Sequence, residues 1–470
     1  MSSNSKEIAK LKKKYSKWPG DAGFAGFKTK FLTWLPSSFT IILLKKFLVR
    51  SEYALKRESI KFFRLSNRAY GSKEFRKCGR LLRVAIELLG ANFPQNYAIM
   101  LNNAVSVTFK NSGCRGSLSD SILVATKQID NRVFDATGWY QLSRGLFSLG
   151  YFRAAWVARE NSLDQSILES ILNVKDSTAV MRGIQGQLER RNYIEVGKIL
   201  WQNQHSLSEK LIAHIDATLC LVDLENTREH CVSNSVNEFS RDLFRSLVSK
   251  KSVALVGPGS PQGFYGTEID GFDTVIRIKF IGRRMLDVDK RHGVRTDISF
   301  IGAIGALKLQ EFELQADLES FKLILTNLTD IESIGLVPIY GFEDDAVIYR
   351  TPTTAGVRTL KEILKFSPSY LKVFGFDFYT TLTPYSKEVT VFYENSAWQF
   401  GHPNDFIRNG DYLKFKRAED FSEHDPVSNF CFAQNLYKAG LFDIEPYGKS
   451  ILELTPYQYV ERLEEMLGDW

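Results

Sequence analysis

Cysteine is scarce in this 470-residue chain, and the five present, Cys78, Cys114, Cys220, Cys231 and Cys431, are odd in number and widely scattered. No pair has metal-ligand spacing, and so few cannot form the disulfide framework of a small secreted scaffold. A long uninterrupted apolar run is also missing. The best stretch, residues 31–49 (FLTWLPSSFTIILLKKFLV), holds Pro36, two serines and the pair Lys45–Lys46. It is too short and too broken for a spanning helix, which needs about 20 apolar residues, and it lacks the compact form of a secretory signal. These absences favour a reducing, cytoplasmic setting. The segment is then expected to lie peripherally, at the inner face of a membrane, or to be the first core helix of the next domain.

Positive charge is the next feature, and it is confined to one end. Within residues 1–50, eleven Lys or Arg stand against Glu7 and Asp21, giving +9 out of a formal net charge of +7 for the whole chain. A nucleic-acid-binding protein would spread its cations along the folded domains, whereas a basic end followed by apolar residues suits an anionic membrane surface. Nucleic acid is therefore not an expected partner.

From residue 51 to 248 the pattern is helical, with apolar residues at three-and-four spacing, as in Leu81, Leu82, Val84, Ala85, Leu88 and Leu89. Residues 149–155 and 191–196 have the form of a short turn opening the second helix of a helical hairpin. Their separation does not match a 34-residue repeat, so an all-α stack of hairpins is expected, its surface suited to a protein partner. After Lys250 short apolar runs alternate with helical stretches, the pattern of a parallel sheet covered by helices, over residues 249–470. Strands are predicted at Ser252–Val256, Thr274–Lys279, Asp297–Ile301, Phe321–Thr326 and Leu371–Phe376, with helices at Leu307–Glu319 and Val357–Phe366.

The first of these strands runs into Gly257-Pro258-Gly259-Ser260-Pro261-Gln262-Gly263. Glycines there let the backbone approach a ligand closely, and a loop of this kind after a first strand is a nucleotide-site candidate. Dinucleotide enzymes and methyltransferases share it, although the spacing is not GxGxxG. Farther on, Pro352-Thr353-Thr354-Ala355-Gly356 opens an amphipathic helix and precedes Leu371-Lys372-Val373-Phe374-Gly375-Phe376-Asp377. Threonine hydroxyls and backbone amides at a helix start suit a phosphate or a sugar carboxylate. Two of the six histidines fall late, His402 in Phe400-Gly401-His402-Pro403 and His424 in Glu423-His424-Asp425-Pro426-Val427-Ser428-Asn429.

Taken in order, these blocks resemble the motifs of eukaryotic-type sialyltransferases. The first continues through Gly266-Thr267-Glu268-Ile269-Asp270, Asp273-Thr274-Val275-Ile276-Arg277-Ile278-Lys279 and Gly293-Val294-Arg295-Thr296-Asp297, similar to the family's large donor-binding motif. The departures are Pro258 and Lys279, which stand where the family has asparagines, Ala355, inserted before the second block's glycine, and Asn429, which replaces a glutamate. The resemblance covers about 175 residues, from Val253 to Asn429, and leaves the helical half outside. It implies a Rossmann-like α/β domain of the variant A-type glycosyltransferase class, preceded by the all-α helical-hairpin domain. It further implies an inverting enzyme that moves an acidic sugar, sialic acid or Kdo, from a CMP-sugar donor to a cell-surface glycan acceptor.

By the same resemblance His424 is the general base, with Glu394, Glu423 and Asp425 as the nearest carboxylates should it not serve. Donor-binding residues would be Gly257, Pro258, Gly259, Ser260, Arg277, Lys279, Thr353, Thr354 and Gly356, with His402 on the departing phosphate and Arg295 close to the nucleotide loop. No metal or cofactor is expected beyond the donor itself. Asp287-Val288-Asp289 has the D-x-D form of metal-dependent transferases but lies among Arg283, Arg284, Lys290 and Arg291, as a solvated loop would. Two other readings remain. A methyltransferase would carry an acidic ribose partner after the second strand, where Lys279 stands. A helical adaptor with a degenerate transferase domain would account for the replaced motif residues.

Overall fold

The computed structural model describes residues 118–148, 150–222, 238–259, 262–279, 291–302, 321–327, 333–334, 337–344, 347–381 and 424–467, with isolated helical positions between Phe62 and Val84. The basic leader, the expected helix at 307–319, the Asp287–Asp289 loop, Ser260, Glu394, His402 and Glu423 lie outside the described residues. Contacts divide the chain into two compact units, residues 1–129 and 130–469. In the first, the described residues form helix α1 (Leu118–Lys127), where Thr126 Oγ1 donates back to the Ile122 carbonyl.

The second unit begins with a run of helices: α2 (Ala136–Ser148), α3 (Phe152–Leu172), α4 (Ser177–Glu189), α5 (Tyr193–Asn203) and α6 (Glu209–Val222). Both hairpin turns expected from the sequence are present. Each is a three-residue link containing a left-handed residue, Gly150 (φ 81°) between α2 and α3 and Arg191 (φ 60°) between α4 and α5. Buried positions recur at helical spacing, Trp139, Leu142 and Leu146 on α2 and Val180, Ile184 and Leu188 on α4. The α4 set packs with Val196, Ile199 and Ile215 from the next two helices and with Val347 from the sheet half.

Helix α7 (Glu238–Val248) leads into the sheet, whose elements are β1 (Ser252–Val256), α8 (Gly266–Asp270), β2 (Thr274–Ile278), β3 (Ile298–Phe300), β4 (Leu323–Thr326), β5 (Ser333–Ile334), β6 (Val337–Gly341), α9 (Ala355–Lys365), β7 (Tyr370–Phe374), α10 (Pro426–Lys438), β8 (Asp443–Ile444), α11 (Pro446–Leu452) and α12 (Pro456–Leu467). The strand order is β5-β6-β4-β3-β2-β1-β7-β8. Seven strands run parallel, and β5 pairs antiparallel with β6. Residues Val253–Val256 and all of β2 are buried, as a parallel strand covered on both faces requires. The chain is thus α/β with a Rossmann-like parallel sheet.

The change of pattern near Lys250 lies between the end of α7 at Val248 and the start of β1 at Ser252. Expected as the start of its own domain, it falls inside the unit that runs from Asp130 to Asp469. The last helix, α12, lies along α3, where Glu464 accepts from the Arg153 amide (2.7 Å) and from its Nε (2.8 Å). Helix α10 touches α4 and α6 of the helical run as well as α9 and α12. Among the described residues no helix is long and apolar enough to cross a membrane.

Candidate functional site

Strand β1 lies between β2 and β7, and the sheet order reverses there. In open α/β sheets the crevice beyond the carboxyl ends at such a reversal is where ligands bind. Two loops meet at this point, Gly257–Gly259 after β1 and Gly375–Asp377 after β7, joined by Gly257 N donating to Phe374 O at 2.7 Å. A Cβ on Gly257 would stand 2.5 Å from the Gly375 carbonyl and 2.7 Å from the Phe376 ring, and one on Gly259 would stand 2.9 Å from the same carbonyl. The glycines are therefore needed for one loop to touch the other. Pro258 between them is half-buried.

The same Phe376 ring meets the start of α9, where a Cβ on Gly356 would lie 2.4 Å from it. The two threonines before that helix differ from expectation. Thr353 donates through its amide (2.9 Å) and its hydroxyl (2.7 Å) to Asp344 Oδ2, which also accepts from Arg358 Nη2. The Thr354 amide donates to Asn429 Oδ1 at 2.7 Å. Both amides expected to serve an anion are thus occupied. What α9 offers instead is the Thr354 hydroxyl, which makes no capping bond, and the first-turn amides of Ala355, Gly356 and Val357, which have no carbonyl of their own helix to bond.

Asn429 belongs to α10 and ties that helix to α9. Its Oδ1 accepts from Thr354 while its Nδ2 donates to the Asp425 carbonyl at 3.0 Å. An amide can do both; an ionised glutamate, which only accepts, cannot. Asp425 caps α10 by accepting from the Val427 and Ser428 amides, with Pro426 at the first helical position. Its other oxygen takes Arg159 Nε at 2.9 Å, and Arg159, wholly buried on α3, also donates to both Glu189 oxygens at 2.6 Å and to Ser428 Oγ at 2.7 Å. Burial pushes the Asp425 carboxyl up, but Arg159 and Arg144 outweigh it and hold it below the usual carboxylate range. Both oxygens of Asp425, one of the carboxylates held in reserve, are thus engaged within the protein.

His424 stands immediately before this cap, half-buried and outside the helix. The Asp425 amide donates to Thr351 Oγ1 at 3.2 Å, so the start of α10 is fixed to the loop that delivers Thr353 and Thr354. Four segments far apart in sequence, the β1 loop, the β7 loop, the start of α9 and the start of α10, are in this way linked contact by contact.

The basic residues are placed differently. Arg277 is buried and donates to the carbonyls of Arg295 and His292 and to Thr296 Oγ1, bracing residues 292–296; burial lowers its pKa to about 10. Arg295 donates to the Phe272 and Asp273 carbonyls and pairs with Asp297 at 2.9 Å. Those partners lie at the amino ends of β2 and β3, away from the loop after β1. Lys279 follows β2 directly, half-buried, with left-handed backbone (φ 58°) and its amide on Phe300 O.

Sequence pattern does not single out His292 or Asp344. The His292 Nε2 lies 3.2 Å from the Gly259 carbonyl, against the candidate nucleotide loop. Its adjacency to the Gly293–Asp297 block is the one signal that could have marked it. Asp344 sits in Gly341-Phe342-Glu343-Asp344-Asp345, an acidic stretch with no periodicity to mark it. Among the described residues no three or more His, Cys, Asp or Glu side chains are grouped to hold a metal ion.

No family model matches this chain, and neither does any curated protein or solved structure.

Proposed function

We propose that the chain is a glycosyltransferase of variant A type that takes a CMP-linked acidic sugar, sialic acid or Kdo, and passes it with inversion to a hydroxyl of a glycan acceptor. The observation that carries this reading is the linkage, at the reversal of the sheet, of the blocks that resemble sialyltransferase motifs: Gly257–Gly259 and Phe376 in contact, Phe376 against Gly356, Thr354 bonded to Asn429. The start of α9 suits the single phosphate of a CMP donor, since its first-turn amides and the positive end of its dipole favour an anion. His424 would take the proton of the acceptor hydroxyl as that oxygen attacks the anomeric carbon. The bond to CMP breaks with its electron pair on the phosphate oxygen.

A binding protein without turnover is favoured by one finding, that Gly257, Gly259 and the Thr353 and Thr354 amides are engaged within the protein. Two measurements separate the readings. CMP should raise the melting temperature of the full chain more than UDP, GDP or S-adenosylhomocysteine, because a ligand stabilises only the state that binds it. His424→Ala should keep that response and lower turnover about a hundredfold, the scale of a positioned base. Equal shifts with all four ligands reject the donor assignment. A CMP shift with no release of CMP from any CMP-sugar supports the binding protein.

A further inference from the structure

Away from the sheet, a cleft of about 680 Å³ opens among α2, α4 and the start of α6. Two guanidinium groups, Arg182 from α4 and Arg350 from the loop between β6 and α9, line it together with the hydroxyl side chains Ser177, Thr178, Ser206 and Ser208. Both cations reach one oxygen. Arg182 Nη1 donates to Thr137 Oγ1 at 3.3 Å, and Arg350 Nη1 approaches the same atom at 3.4 Å. Like charges converge on a neutral hydroxyl, and among the described residues neither arginine has a carboxylate within ion-pair distance.

Arg350 is held in place rather than mobile. Its guanidinium lies over the rings of Tyr140 (5.2 Å) and Tyr349 (5.7 Å), and its amide donates to Gln185 Oε1. Its backbone is left-handed (φ 53°), a conformation a non-glycine side chain adopts at a cost. Its Nε is buried and has no hydrogen-bond acceptor among the described residues. Among the described residues, the two Nη atoms of this guanidinium reach only the neutral Thr137 hydroxyl, which leaves donor capacity facing the cleft unused. Burial lowers the Arg350 pKa from its usual value, Tyr349 and Tyr140 oppose that shift, and Arg182 close by adds to it. Asp176 at the same end of α4 does not fill this role, because its carboxylate caps the helix through the Thr178 amide at 2.9 Å.

We infer that this cleft binds the phosphate group of a phosphorylated small molecule. Two guanidinium forks and several hydroxyl donors match the three terminal oxygens of a phosphate monoester better than the two of a carboxylate. The space exceeds what a bare ion fills, so the group would carry an organic moiety such as a sugar. Arg182, Arg350 and the cleft itself support this independently of the donor reading.

The test is a thermal-shift and calorimetric titration of the full chain with inorganic phosphate, a hexose 6-phosphate, the unphosphorylated hexose and sodium chloride at matched ionic strength. Phosphate and the phosphate ester should stabilise the protein saturably, the ester at the lower concentration if the moiety is bound and phosphate equally if only the ion is recognised; hexose and chloride should not. Arg182→Glu, at a half-exposed position, should weaken the response at least about tenfold through the lost charged hydrogen bonds; Arg182→Gln, milder for folding, should act in the same direction. An undiminished response in these variants, or an equal response to chloride, overturns the site. A phosphate response in wild type with no response to CMP upholds the cleft and removes the donor reading. Because CMP is itself a phosphate monoester, its response is assigned by the variants: a CMP response that survives Arg182→Glu, with no response to phosphate or the hexose phosphate, upholds the donor site and overturns the cleft, and a CMP response lost in Arg182→Glu together with that to the hexose phosphate belongs to the cleft.

Discussion

Asn429 shows how much one side chain can decide. It replaces the glutamate of the motif it resembles, and the structure uses both halves of its amide, one toward Thr354 and one toward Asp425. Asn429→Asp should therefore destabilise the protein by about 1–3 kcal/mol, the cost of a buried partner left unsatisfied, measured as a lower urea midpoint with unchanged slope. Arg159→Ala should cost more, about 3–5 kcal/mol, since it strands Asp425 and Glu189 in a buried site. That cluster also sets a pH dependence. Because the folded Asp425 pKa is depressed, its stabilisation is complete above the unfolded value of about 3.9 and is lost as pH falls through the folded value. Acid titration of the wild type should accordingly show a steep loss below about pH 4, and Arg159→Ala a shallower one.

At the scale of elements, the legible strands are those with unbroken apolar runs. Ser252–Val256 agrees with expectation, Thr274–Lys279 overshoots by one residue, Asp297–Ile301 loses one residue at each end, and Phe321–Thr326 loses its first two. Leu371–Phe376 shifts to Tyr370–Phe374, because Gly375 turns left-handed (φ 66°) and ends the strand. Strand β6 is hidden because Pro338 and Gly341 break its pattern, and two-residue β8 has too little pattern to see. The site is legible only as blocks. Its bonds span 75 residues for Thr354–Asn429 and 266 for Arg159–Asp425, separations that no local periodicity encodes. The contact between Gly356 and Phe376 gives a test at this level. Gly356→Ala should destabilise by about 1–3 kcal/mol through overpacking, and Phe376→Leu should recover part of it, seen as a favourable coupling in a double-mutant cycle.

For the whole molecule, the helical half and the sheet half share one core, through α12 on α3 and α10 against α4 and α6. Residues 249–470 produced alone should consequently lack a cooperative thermal transition, and co-expression with residues 130–248 should restore it; a fragment that unfolds cooperatively by calorimetry would refute the shared core. Arg159 adds a consequence in time. It emerges from the ribosome able to pair with Glu160 and Glu189, and its fully buried partner, Asp425, follows 266 residues later. At about 5–20 residues per second that interval is tens of seconds, during which the early helices hold a cation whose burial cannot be completed. The nascent helical half must then wait, partly open and within reach of chaperones, until nearly the last helix of its own chain arrives to close it.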